Sequence, residues 1–101
     1  MAQIIWTEPA LQELDEIADY ISLDNPIVAI KLVREVFRRV GHVGNHPKSG
    51  KPLEVFESSV YREIVSPPCR IFYRTADDIV YIIHVIREEQ FLHIDFLESR
   101  E

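Results

Sequence analysis

Four arginines, Arg62, Arg70, Arg74 and Arg87, are the side chains of this sequence best suited to chemistry. A guanidinium presents a planar fork of donors that grips phosphate or carboxylate, and several together stabilise charge at a reacting phosphate. Strand alternation puts Arg70, Phe72 and Arg74 on one face of their strand. Arg87 ends the next strand in phase with Tyr81, Ile83 and Val85, and Arg62 comes from the strand before. Three adjacent strands then each bring an arginine, and the expectation is a cationic recognition surface near one sheet edge. The alternative is a solvated face on which the same arginines pair with Glu63, Asp77, Asp78 and Glu88. Among acid-base groups, His84 alternates with Ile82 and Ile86 and reads as a core histidine with a partner, whereas His93, beyond Arg87, is better placed to move a proton. Ser58, Ser59 and Ser66 lack the glycines of a nucleophile elbow, and Cys69 has no context that lowers a thiol pKa. No nucleophilic triad, no metal site and no cofactor are expected.

These side chains need elements to position them. Gln3 to Trp6 is a short β-branched and aromatic run, and Thr7-Glu8-Pro9 supplies a cap and a first-turn proline. Leu11, Leu14, Ile17, Ala18 and Ile21 then recur at helical spacing, ending near Leu23. Asn25-Pro26 restarts the pattern, with Leu32, Val33, Val36, Phe37 and Val40 as the apolar stripe of a second helix. Lys31, Arg34 and Arg38 lie at i, i+3 and i+7 on its other side, either a solvated face or a docking stripe for an acidic partner. Gly41 and Gly44 mark the helix end, and 45–52 reads as a loop. From Val60 the period becomes two until Ser66-Pro67-Pro68, and Cys69 to Thr75 and Ile79 to Arg87 form a hairpin around Ala76-Asp77-Asp78. The tail, with Phe91, Leu92, Phe96 and Leu97, fits a short helix or an extended segment. The predicted architecture is α+β, one domain over 1–101, with an N-terminal strand and helical hairpin packed on one face of an antiparallel sheet and the other face available.

Composition agrees with a single small domain: 101 residues at 47% hydrophobic bury enough surface to stand without staples. The lone Cys69 makes no internal bridge, and the first residues have neither the basic start nor the apolar core of a secretory signal, so a soluble cytoplasmic protein with no membrane partner is expected. The net charge of -6 hides a segregation. Residues 1–30 hold six acids and no Lys or Arg, 31–87 hold ten bases against six acids, and 88–101 hold five acids against Arg100. That is either mutual complementarity of faces within the fold or a basic working surface.

In order and spacing, Asp24-Asn25-Pro26, His46-Pro47-Lys48-Ser49-Gly50-Lys51, Tyr61-Arg62-Glu63, the run from Cys69 to Arg74 and the run from Ile82 to Arg87 resemble the ParE/RelE toxin family, over nearly the whole chain. The resemblance implies that fold, a role as a toxin, and a cognate antitoxin in a hetero-oligomer. RelE-like members cut messenger RNA on the ribosome with basic sheet residues; ParE-like members share the fold and inhibit DNA gyrase. Carried over, Arg62, Arg70 and Arg87 match basic positions of the nuclease set, while the second lysine is replaced by Ile64 and the tyrosine beyond the last arginine by His93. Ile64 can neither stabilise charge nor move a proton. An acidic chain also suits a protein target better than a ribosomal one. The reading is therefore a ParE-like gyrase inhibitor with no chemistry of its own and no sequence-specific DNA binding by the toxin alone. Arg62, Arg70, Arg74 and Arg87 face the target, and Lys31, Arg34 and Arg38 face the antitoxin. The alternative is a ribosome-dependent endoribonuclease using Arg62, Arg70, Arg87 and His93, and a third possibility is a structural partner that has lost toxicity.

Overall fold

The computed structural model describes residues 1–53, 60–90, 92 and 97. In chain order the elements are β1 (Gln3–Trp6), α1 (Glu8–Ser22), α2 (Pro26–Asn45), β2 (Lys51–Pro52), β3 (Tyr61–Ser66), β4 (Cys69–Ala76) and β5 (Ile79–Arg87). The expected α+β arrangement is present, with two additions: β1 joins the sheet, parallel to β5, and Lys51–Pro52, read from the sequence as the end of a loop, pairs antiparallel with β3 as edge strand β2, so the five strands run in the order β1-β5-β4-β3-β2 and the sheet is mixed. The two helices and strands β2 to β4 all lie between β1 and β5 in the chain, which gives the long connection that parallel neighbours need.

Local chemistry sets the helix starts. Thr7 Oγ1 accepts from the Ala10 N–H at 3.4 Å and donates to the Ile82 carbonyl at 2.9 Å, so one hydroxyl caps α1 and ties it to the sheet. Asn25 Oδ1 accepts from the Val28 N–H at 3.2 Å, with Pro26 as first helical residue. At its other end α2 does not stop at Gly41 but runs through both glycines to Asn45. Gly44 is there for packing: a Cβ would stand 2.9 Å from Ile4 Cδ1, and its carbonyl accepts from the Ala2 N–H at 2.9 Å.

The buried stripe of the hairpin, Leu14, Leu32, Val36 and Val40, closes on Cys69, Ile71, Tyr73, Val80, Ile82 and Val85 of the sheet. The opposite face, expected to be available, carries its own buried cluster of Tyr61, Phe72, Ile83, Ile86 and Leu97. Leu92 is half-buried against it; the remainder of the tail lies outside the described residues. Apolar groups on both faces of β4 and β5 explain why these strands read as nearly continuous hydrophobic runs.

One irregularity reorders the site. The β4–β5 register runs Arg74↔Tyr81 and Tyr73↔Ile82, then shifts to Phe72↔His84, Arg70↔Ile86 and Cys69↔Arg87. Ile83 is the extra residue of a β-bulge, and beyond it the alternation of β5 changes phase.

Candidate functional site

The bulge divides the arginines. Arg70 and Arg74 lie on the outer face, opposite Val65 and Tyr61 of β3. Arg87 does not share that face with Tyr81 and Ile83, as unbroken alternation requires; it pairs with the core residue Cys69 and turns to the helix side, where its guanidinium stands 5.1 Å from the Tyr20 ring centroid of α1. Arg87 Nε also pairs with Glu89 at 3.0 Å. Arg62 pairs with Tyr73 and likewise faces the helix side. The expected gathering of guanidiniums at one edge is corrected accordingly: two lie on each face.

Each arginine has local employment. Arg70 forms an ion pair with Glu63 and stacks 5.1 Å from the Phe72 centroid. Arg74 lies 4.7 Å from the Tyr81 centroid. Arg62 Nη1 donates to the carbonyls of Lys48 at 3.1 Å and Gly50 at 2.7 Å. Of the acids named as pairing partners on a solvated face, Glu63 alone takes that role with Arg70, while Asp77 and Asp78 form the β4–β5 turn with positive φ angles of 50° and 63°. Ile64 packs against the helix-side core, opposite Ile71. His93 lies outside the described residues.

His84 has the partner expected of a core histidine. Only 3% exposed, it stacks on Phe72 at 5.8 Å and its Nδ1 lies 3.0 Å from Glu13 Oε1. Glu13 is the residue that sequence reading missed. Beyond Trp6 the outer edge of β5 has no strand beside it, and Glu13 of α1 covers the gap by accepting from the Val85 N–H at 3.2 Å. An acid on an amphipathic helix reads as solvated, yet Glu13 sits three residues after Ala10 and four before Ile17, at the margin of the buried stripe; that spacing was the available signal. Glu13, Glu16, Tyr20, His84, Arg87 and Glu89 together line a cleft between α1 and β5.

The remaining sites are simpler. Lys31, Arg34 and Arg38 are all exposed along α2. Arg38 and Arg39 both bind Glu35, and those hydrogen bonds hold its carboxyl down at about 2. Burial pushes the Cys69 thiol up to about 11, the opposite of what a nucleophile needs. His42 and His46 stand four apart at the end of α2, with ring centroids 4.6 Å apart, so the histidines do include one pair at the spacing of helical metal ligands, contrary to the sequence reading. Among the described residues no group of three or more His, Cys, Asp or Glu could hold a metal ion, and no helix is long and apolar enough to cross a membrane.

The α1–α2 hairpin presents apolar side chains to solvent that a closed monomer would bury: Ile30 is 53% exposed, Phe37 45% and Leu11 43%. They border two grooves between the helices, one at Leu11, Val33 and Phe37, the other at Ala18, Ala29 and Ile30.

Comparison with known proteins follows the same lines. Residues 4–91 match the family model described as ParE toxin of type II toxin-antitoxin system, parDE. Toxin RelE2 of Caulobacter vibrioides is 31% identical over 86 residues, covering 84% of this chain and 93% of that protein. The chromosomal ParDE toxin-antitoxin system from P. aeruginosa contains a chain that superposes with a TM-score of 0.71 at 26% identity, over 86% of this chain and 96% of that one. The toxin-antitoxin complex RelBE2 from Mycobacterium tuberculosis matches in fold, with a TM-score of 0.59 at 22% identity, over 85% and 96%.

Proposed function

The chain belongs to the ParE toxin family of type II toxin-antitoxin systems, and from that membership we propose that it acts in the ParE-like manner, inhibiting DNA gyrase by binding it and so blocking replication. The separation of the arginines carries this reading. Charge stabilisation at a scissile phosphate needs cations converging on one point. Here Arg62 and Arg87 face the helices, Arg70 faces away and is occupied by Glu63, and the second lysine position is the core residue Ile64. The target-facing set divides accordingly. Arg70 and Arg74 contact the target from the outer face, Arg62 holds the 47–50 loop, and Arg87 fixes the end of β5 over Tyr20.

The antitoxin partner docks on the hairpin. Exposed apolar side chains at Leu11, Ile30 and Phe37 beside the cations Lys31, Arg34 and Arg38 suit an amphipathic, partly acidic helix laid along the groove. The result is a toxin-antitoxin hetero-oligomer located in the cytoplasm.

The similarity to Toxin RelE2 keeps one rival in view, a ribosome-dependent messenger-RNA endoribonuclease with Arg62, Arg70, Arg87 and His93 as its working groups. A gyrase supercoiling assay separates the two. The expected result is lost supercoiling with accumulated cleaved DNA, and an Arg70→Ala/Arg74→Ala double variant at least about tenfold weaker, corresponding to about 1.4 kcal/mol of lost binding. Undiminished supercoiling, together with cleavage of ribosome-bound messenger by the wild type, would replace the gyrase reading by the nuclease one.

A further inference from the structure

Past the end of α2 the chain makes an exposed loop that is tied down from beneath. The Tyr73 hydroxyl donates to the Pro47 carbonyl at 2.8 Å and accepts from the Gly50 N–H at 2.9 Å, while Arg62 holds the carbonyls of Lys48 and Gly50. A Cβ at Gly50 would stand 2.4 Å from that hydroxyl, so the fit admits glycine alone. Surface loops are ordinarily the mobile parts of a fold. In this one, four backbone groups are bonded to two sheet side chains, and the side chains it displays are consequently held in fixed relation to α2.

What it displays is cationic. Lys48 and Lys51 are exposed and make no ion pair among the described residues. Facing them across a groove are Arg38, Arg39 and His42; Glu35 pairs with both guanidiniums, so the two carry one surplus charge between them, and among the described residues the one carboxylate in the groove wall is Glu63, which Arg70 already engages. A second depression between His42, His46 and Lys48 has no carboxylate in its wall among the described residues. In a chain of net charge -6, this concentration of cations is local and one-sided.

We propose that this corner, formed by Arg38, Arg39, His42, Lys48 and Lys51, binds the phosphodiester backbone of duplex DNA without regard to base sequence. Guanidinium, ammonium, imidazole and the Ser49 hydroxyl form the mixed donor set that phosphate oxygens accept from. An acidic peptide would also need a row of apolar anchors, and Ile30 and Phe37 of α2 border the grooves shared with α1, whereas in this groove Val43 is buried in the core, Ile64 packs against it, and among the described lining residues Val65 alone is an exposed apolar one. From Arg38 to His46 the helix advances about 12 Å, enough to face roughly three consecutive phosphates of one strand. On a target enzyme that holds DNA the patch supplies a second contact, but the binding is a property of the toxin alone and stands apart from the gyrase reading.

The test is fluorescence anisotropy of the full chain with a short labelled duplex of mixed sequence, titrated against salt. Micromolar binding at low salt with a log-log slope of about -3 is expected. Lys48→Gln/Lys51→Gln should weaken it about tenfold and flatten the slope by about two. Gln3→Glu/Gln12→Glu, exposed positions elsewhere with the same change in net charge, should leave it within about twofold. Absence of binding, equal losses in both variants, or displacement of the duplex by polyglutamate at equal charge concentration would each overturn the proposal. Because no gyrase is present, a failure here leaves the target untouched, and a failure in the supercoiling assay leaves this site untouched.

Discussion

Replacing Tyr73 by Phe removes one oxygen and leaves the buried Gly50 N–H without its acceptor and the Pro47 carbonyl without its donor. The cost expected is about 1–3 kcal/mol, because an unsatisfied buried amide carries most of its desolvation penalty. Urea denaturation checks this through a lower midpoint at unchanged slope. Tyr73 was legible in the sequence as a strand residue, but its role was not, because a hydroxyl's partners depend on which loop folds back over it. Arg62 shows the same limit. Its type advertised phosphate chemistry, and the structure spends its donors on two loop carbonyls. Glu13 shows the converse, an acid that looks solvated and instead caps an open strand edge. Residue type indicates what a side chain can bond, and only the fold decides what it meets.

At the scale of elements the sequence was more informative. The helix starts at Thr7 and Asn25, the prolines at 9 and 26, and the hairpin between β4 and β5 all follow from local rules and are present. Two features required tertiary knowledge. The α2 helix continues through Gly41 and Gly44 despite the local cost of glycine in a helix; at Gly44 the close approach of Ile4 leaves no room for a side chain, whereas nothing lies within 4 Å of a Cβ built at Gly41. The bulge at Ile83 leaves no trace in composition, since every residue around it is apolar or buried whichever way it points, and with it goes the side of the sheet on which Arg87 lies. The β4–β5 turn offers a direct check on local strain. Asp77 and Asp78 both hold positive φ, which costs an L-residue with a Cβ and suits glycine at the second position. Asp78→Gly is therefore expected to stabilise the protein by roughly 0.5–1 kcal/mol, read as a rise in thermal midpoint.

Over the whole molecule, charge and apolar surface are partitioned in ways that a net value conceals. The outer side of the hairpin offers apolar anchors with cations along one margin, the loop beyond α2 offers mainly cations, and the far face of the sheet buries its own apolar cluster with Arg70 and Arg74 beside it. Phe37 belongs to the first of these, half exposed and tilted against Trp6 at 5.0 Å. Phe37→Asp should lower affinity for the antitoxin by at least about tenfold, the effect of truncating an interface anchor, with near-native melting behaviour. Isothermal titration against the isolated antitoxin would measure it, and unchanged affinity would place the antitoxin elsewhere. The parallel pairing of β1 with β5 has a further consequence, one of timing during synthesis. Thr7 bonds Ile82, 75 positions later, so the first strand and the cap of α1 wait for nearly the last strand before they can dock. At about 5–20 residues per second a ribosome needs roughly 4–15 s to make that interval. From the end of α2 at Asn45 to Ile82 the ribosome adds 37 residues, which takes roughly 2–7 s, and during that time the completed helical hairpin has no sheet to cover its apolar stripe, so a toxin that cannot finish folding before β5 is made gives its cell a window of seconds in which to capture it before it can act.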